Sequence, residues 1–318
     1  MDISIVICTY NRVNNLKECF DCLASQEINN PFSWEVLLVD NNSSDHTRQF
    51  TENYAAQEHF KLSYTFEAKQ GLSHARNQGI NVSNGAILVF IDDDIRVSKN
   101  WLQSIVDAFT TQNCDAVGGR IHIKSLTKLP KWITPDMYGF LGYQDFGDES
   151  RPMDGYKEFP FGGNMAVRRS VFDKIGLFDT EMGRKGAGLK KEELFKGEET
   201  DFFHRLADVG GQFYYQSDAL VLHKILAHQL KPKFFLMLHN NAGLLQARND
   251  CIVYPRVLLG IPLFVFPQFM RSIGDYLLLS IINGPNSAFR QLMNVAYFWG
   301  MMREFHKKQL ALQSHTFL

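Results

Sequence analysis

Short apolar runs alternate with amphipathic stretches along the first third of the chain. ISIVICTY (3–10), WEVLLVD (34–40), KLSYTFE (61–67), AILVFI (86–91) and CDAVGG (114–119) read as strands bounded by Gly, Asn and Ser signals. Between them, NNLKECFDCLASQ sets Leu16, Cys19, Phe20 and Leu23 at helical spacing, and GLSHARNQGINVSNG reads as a second helix. SKNWLQSIVDAFTT predicts a third, with Ser98 as N-cap and Trp101, Ile105 and Phe109 four residues apart. Later, GEETDFFHRLADVG predicts a helix that turns Phe202, Leu206 and Val209 inward. Strands separated by helices imply right-handed crossovers and a mostly parallel, doubly wound sheet. Ligands of such sheets lie beyond the carboxyl ends of the strands, so Thr9, Asp40 and the run Asp92–Asp94 are expected to share one cleft.

The run VFIDDDIRV raises a question of charge. Three adjacent carboxylates after a buried strand cost free energy unless something positive compensates them. Such groups are hard oxygen ligands suited to Mg²⁺ or Mn²⁺, whose coordination is completed by phosphate oxygens and water. A solvated acidic turn ahead of the Ser98 helix is the plainer alternative. Composition narrows the partner. At 318 residues with 45% hydrophobic and 21% charged residues, the chain is globular, and a formal net charge of −1 argues against a nucleic-acid binder. Five scattered cysteines point to reduced thiols and a cytoplasmic setting, and Cys19 and Cys22 fit a buried helix face better than a metal or redox pair. MDISIVICTYN opens directly as a strand, without the pattern of a signal peptide.

SIVICTYNR, VLLVDNNSSDHT, GLSHARNQGI, VFIDDDIRVSKNWL, FGGNMAVRRSVFDKIGLFD and GEETDFFHRL stand in the order and spacing of family 2 glycosyltransferases of the GT-A fold, which residues 1–230 resemble. The resemblance implies a Rossmann-like α/β catalytic domain and an inverting transfer of sugar from a nucleotide diphosphate donor, a UDP-sugar first, to a hydroxyl acceptor. It implies donor contacts from Thr9, Tyr10, Asn11 and Arg12, a base-binding carboxylate at Asp40, and further donor contacts from Arg76 and Asn77. The acidic run maps onto a DxD motif: Asp94 as metal ligand, Asp92 completing the spacing, Asp93 toward the ribose, and His223 as an added ligand for Mn²⁺ or Mg²⁺. On the acceptor side stand Gly162, Gly163, Asn164 and, as a stacking aromatic, Trp132.

Inverting transfer needs a general base within hydrogen-bond reach of the acceptor hydroxyl. The family's usual Glu-Asp pair reads Glu198-Glu199 here, so Glu199 takes the base position, with Glu198 and Asp201 as alternatives. The segment 183–199, rich in Gly and Lys, reads as a surface loop able to act as a lid, its lysines available to phosphate.

Beyond residue 230 the resemblance fades. Residues 231–318 read as a helical, apolar extension, and within 252–283 Pro255, Arg256, Pro262, Pro267 and Arg271 interrupt every run before it could span a bilayer. Peripheral attachment to the cytoplasmic face of a membrane is the expectation, with packing on the catalytic domain or on a partner subunit as the alternative and a homo-oligomer left open. The acceptor class expected is a saccharide or a lipid-linked sugar. A nucleotidyltransferase acting on sugar phosphates and an inactive sugar-nucleotide-binding module remain the competing readings.

Overall fold

The computed structural model describes residues 1–186 and 190–315, the side chains at 192 and 311–315 excepted. It divides into two compact units. The first comprises Met1–Leu126, Tyr138–Ala187 and Lys196–Ile225, the second Thr127–Met137, Gly188–Phe195 and Leu226–Leu318. The division falls at Ile225 rather than at residue 230, and two internal segments join the C-terminal unit.

The first unit is the predicted α/β layer structure. Its elements run β1 (Ile3–Thr9), α1 (Val13–Ala24), β2 (Trp34–Asp40), α2 (Thr47–Ala55), β3 (Leu62–Phe66), α3 (Leu72–Val82), β4 (Ile87–Asp92), β5 (Ile95–Val97), α4 (Trp101–Thr111), β6 (Ala116–Ser125), β7 (Arg151–Met153), β8 (Met165–Arg168), α5 (Arg169–Ile175), α6 (Glu198–Asp208) and β9 (Phe213–Ile225). One sheet holds these strands in the order β3-β2-β1-β4-β8-β6-β9-β5, with β7 on β9. Six strands run in one direction, while β5, β7 and β8 oppose them. The antiparallel strands β5 and β7 escaped the sequence pattern because three residues carry too little periodicity.

The centre of the sheet is buried on both faces, so β1 is rich in Ile and Val on both of them rather than alternating apolar and exposed polar positions. Leu16, Cys19, Phe20 and Leu23 of α1 pack on one side with Trp101 and Ile105 of α4. Cys19 is thus core, and burial pushes its thiol pKa up. Phe202, Phe203 and Leu206 of α6 pack on the other side. Val209 departs from expectation: it sits past the helix end and is exposed. Ser98 also stops short of a cap, since α4 starts after Asn100, and Ser98 gives its carbonyl to Trp101 N–H and its hydroxyl to Asn100 Oδ1.

The second unit is helical: α7 (Pro232–Asn249), α8 (Val265–Asn283) and α9 (Pro285–His315), with a two-stranded hairpin, Val257–Leu258 against Ile261–Pro262. α9 packs against both α7 and α8. Glycines permit the α7–α9 approach. A Cβ on Gly300 would fall 2.0 Å from the Asn240 carbonyl oxygen, and one on Gly243 would fall 1.9 Å from that of Tyr297. No described helix is long and apolar enough to cross a membrane.

Candidate active site

Parallel register assembles the site's floor. Thr9 pairs with Asp40, and Cys8 with Asp92, so three strands end on one line. After β4 a tight turn carries Asp93 and Asp94 into β5, which pairs antiparallel with β9 and sets Ile95 opposite His223. Residues from opposite ends of the unit's sequence therefore meet.

The three carboxylates face different partners. Asp93 turns inward: Thr9 Oγ1 donates to it at 2.6 Å, Arg12 Nη1 at 3.2 Å and Asn15 Nδ2 at 3.5 Å. Burial pushes its pKa up to about 6 against the pull of Arg12. Bound in this way, Asp93 does not present the carboxylate expected for a ribose. Asp94 accepts from Arg12 Nη1 at 2.9 Å through Oδ2, while its buried Oδ1 has no aligned hydrogen-bond donor among the described residues. Facing that oxygen at 3.3 Å is His223 Nε2. The ring's other nitrogen, Nδ1, donates to the Leu141 carbonyl at 2.7 Å, which leaves Nε2 carrying a lone pair whenever the imidazole is neutral. Burial opposes ionisation of both groups, yet Asp94 is held below the ordinary carboxylate range by His223 and Arg12, and His223 is raised by Asp94. Two facing acceptors at this distance need a proton or a cation between them. Asp92 makes no side-chain hydrogen bond among the described residues. Burial and the Asp94 charge raise its pKa, and Arg76 and Arg184 oppose the rise.

Opposite the acidic turn stands a buried ion cluster. Arg76 of α3, 2% exposed, donates through Nη2 to Glu199 Oε1 at 2.9 Å and through Nη1 to Glu198 Oε1 at 3.3 Å. Both glutamates lie in the first turn of α6, where the helix dipole favours negative charge. The Glu198 side chain is 6% exposed and that of Glu199 26%, so Glu199 alone of the pair opens to solvent. Burial and the neighbouring Glu199 charge raise the Glu198 pKa. Asp201, the third acid of that turn, is engaged by Arg205 Nε at 2.9 Å.

Several expected roles change. Arg76 is committed to the two glutamates rather than held open for a diphosphate. Asn77 spends its whole amide on the Phe178 backbone, at 2.8 and 3.0 Å, and clamps α3 to that loop instead of meeting a donor. Asn164 is equally spent, donating to the Ala219 and Arg120 carbonyls and accepting from Trp101 Nε1, so no polar atom remains for an acceptor. Gly162 does allow a close approach, but its neighbours are protein: a Cβ there would lie 1.9 Å from Glu199 Oε1 and 2.2 Å from Arg76 Nη2. Gly163 has ordinary room around it. Trp132 belongs to the helical unit, where it packs on Phe235 and Phe289.

Around the rim, Asp40 accepts from Ser43 N–H and Tyr64 O–H, both at 2.9 Å. Asn11, at φ 52, accepts from Ser44 N–H and ties the loop of Tyr10 and Arg12 to the one after β2. Sequence reasoning missed the Leu141 carbonyl, which lies in a stretch without any motif, and Arg184. The latter sits in the basic loop expected to face phosphate, and its charge lowers both Asp92 and Asp94. Part of that loop, 187–189, lies outside the described residues. Among the described residues no three His, Cys, Asp or Glu side chains form a ready-made metal cage.

Known proteins resemble this chain in sequence and in fold. The sequence profile described as "Glycosyl transferase family 2" matches residues 4–176. The glucosyl-dolichyl phosphate glucuronosyltransferase of Haloferax volcanii is 25% identical over 235 residues, 72% of this chain and 71% of that one. The succinoglycan biosynthesis protein ExoM of Rhizobium meliloti is 27% identical over 223 residues, 70% of this chain and 66% of that one. In fold, S. aureus TarS residues 1–349, solved with UDP-GlcNAc, align over 95% of this chain and 90% of that one, with a TM-score of 0.54 and 17% identity.

Proposed function

Because this chain belongs to glycosyl transferase family 2, we propose that it transfers a sugar, with inversion, from a nucleotide diphosphate donor to a hydroxyl of a saccharide or lipid-linked acceptor. The observation that carries the reading is the buried Asp94 Oδ1, without an aligned donor among the described residues, facing the Nε2 of a histidine whose other nitrogen is fixed by a backbone carbonyl. A carboxylate and an oriented imidazole are a fitting pair for Mn²⁺ or Mg²⁺, which take one or two protein ligands and fill the rest with phosphate and water. Asp94 and His223 would hold the ion with Asp92 beside them, and bound there it supplies charge stabilisation for the departing diphosphate.

The chain's own residues do the rest. Glu199 accepts the proton of the attacking hydroxyl as the new bond to the anomeric carbon forms and the bond to the diphosphate breaks. Arg76 fixes Glu199 through Oε1, leaving Oε2 without a hydrogen bond among the described residues and free for the acceptor. Asp40 and the loop Thr9–Arg12 receive the base and ribose, and Arg184 adds positive charge near the phosphates. A uridine diphosphate sugar is the first donor to try. Relatives named for a dolichyl-phosphate-linked glycan and for succinoglycan favour glycolipid or polysaccharide synthesis. The helical unit, through 252–283, makes peripheral contact with the cytoplasmic face of a membrane.

Incubation with labelled nucleotide sugars and Mn²⁺ tests the reaction: nucleoside diphosphate release supports transfer, pyrophosphate release supports nucleotidyl chemistry, and binding without turnover supports a module. Asp94→Ala should abolish metal-dependent donor binding while the fold, read by circular dichroism, survives. Full activity in excess chelator would remove the metal from the mechanism.

A further inference from the structure

The helical unit differs from the rest of the chain in charge. Its segments hold thirteen Lys and Arg against six Asp and Glu, a net +7, whereas the whole chain is −1, which leaves −8 for the sheet-bearing unit. Alongside that positive charge lies uncovered apolar surface. Met270, Leu277, Leu278, Ile281 and Ile282 are all exposed, Ile281 at 83%, and their spacing places them along one stripe of α8. Gly274 falls on the same stripe with nothing near it.

Within this unit α7, α8 and α9 enclose a groove of about 510 Å³. Leu236, Met237, Phe269, Leu292 and Val295 make its walls, and Trp299, 51% exposed, packs at a tilt against Phe269. That volume is in the range of small-ligand sites, about 300–1,000 Å³. Polar atoms are few and specific. Lys191 and Lys233 line it, and Lys233 is exposed and enters no ion pair among the described residues. Asn240 also lines the groove; it is 8% exposed, donates to the Ala296 carbonyl, and leaves Oδ1 buried without a donor among the described residues. An apolar trough with cations and one unsatisfied acceptor matches an amphiphile carrying an anionic, hydroxyl-bearing head. A half-exposed tryptophan beside it suits the boundary between hydrocarbon and water.

We propose that the α7–α8–α9 groove binds a single hydrocarbon chain of a phosphorylated lipid, with the phosphate at Lys233 and a head-group hydroxyl at Asn240, while the apolar stripe of α8 rests on the surrounding anionic lipid. The site is independent of the transferase reading, since binding is measured without any sugar nucleotide, and either can fail alone.

The test uses the full chain and dodecyl phosphate below its micelle concentration, with dodecyl maltoside and inorganic phosphate as separate probes in titration calorimetry. Dodecyl phosphate should bind once per chain, at least about fivefold tighter than the uncharged amphiphile. Inorganic phosphate should not bind. Ala296→Trp, which fills the trough, should weaken binding by more than about tenfold, and Lys233→Glu should remove the preference for the phosphate. In the parent, 11-bromoundecyl phosphate should quench fluorescence that is missing from Trp299→Phe, a readout that needs no groove-filling variant to fold. Equal binding of inorganic phosphate, unchanged affinity in folded Ala296→Trp, or quenching that persists in Trp299→Phe would overturn the proposal. So would a concentration-dependent dimer broken by Ala296→Trp without lipid binding, which would assign the groove to a second copy of the chain.

Discussion

Glu199 and Glu198 are adjacent in the chain and share one guanidinium, yet their surroundings separate their uses. Glu198 is enclosed, so its carboxylate serves the Arg76 cluster; Glu199 keeps an edge toward solvent. Glu199→Gln preserves volume and the hydrogen bond from Arg76 but cannot take a proton. Turnover should fall by about 10²–10⁴ with donor affinity held within a few-fold. Glu198→Gln should instead act through the fold, lowering the thermal midpoint more than the turnover number. Steady-state kinetics with calorimetric melting separates the two, and the reverse pattern would move the base to Glu198. Gly162 gives a second test. Its added Cβ would meet Glu199 Oε1 and Arg76 Nη2, two atoms held together in a partly buried ion pair. Gly162→Ala should therefore displace the carboxylate and reduce the turnover number at least about tenfold, since small misplacements in a reacting geometry cost that much or more. An active Gly162→Ala enzyme would show that the pair can yield.

At the scale of elements, the α7–α9 contact sets two opposing effects against each other. Alanine is favoured over glycine inside a helix by about 1 kcal/mol. Gly300, however, lies against the Asn240 carbonyl, which belongs to another helix's backbone and cannot swing away. Overpacking costs about 1–3 kcal/mol, so the clash should win: Gly300→Ala is expected to destabilise the helical unit, seen as a lower urea midpoint by circular dichroism. The same scale shows what the sequence could reveal. The long parallel strands and α1, α3, α4 and α6 were legible because a buried strand needs an unbroken apolar run and a half-buried helix needs its stripe. Strands β5 and β7 were not, since three residues gain their structure from the partner β9 rather than from their own pattern. The convergence of Thr9, Asp40 and the acidic turn followed from topology, but the commitments of Asn77, Asn164 and Arg76 depend on which backbone happens to lie within reach. Residue type alone does not fix that.

Over the whole molecule, acid should act partly through Glu35. Burial raises its pKa, yet Lys61 Nζ at 2.7 Å, Ser4 Oγ at 2.8 Å and Asn84 N–H at 3.2 Å outweigh burial, and the carboxyl is held below its ordinary value of 4.5. The unfolded chain then holds this proton more tightly than the folded one. The stabilisation is whole above the unfolded value and is lost as pH falls through the folded one. Glu35→Gln should flatten the acid limb of a stability–pH curve below about pH 5 and leave its slope near neutrality unchanged. A parallel downward shift at every pH would mean that packing rather than charge is at stake.

The pairing of Asp94 with His223 also bears on how the chain acquires its site. These residues stand roughly 130 apart, and the strand that delivers the histidine lies parallel to one about a hundred residues earlier, the kind of distant pairing that slows folding. During synthesis β1, β2 and β4 can come together long before β9 leaves the ribosome. The young chain thus carries its acidic turn with Arg12 as local compensation. Under the function proposed above, affinity for a nucleotide's base would arise with the early strands and grip on its phosphates only with the last one, so in refolding the two capacities should appear in that order.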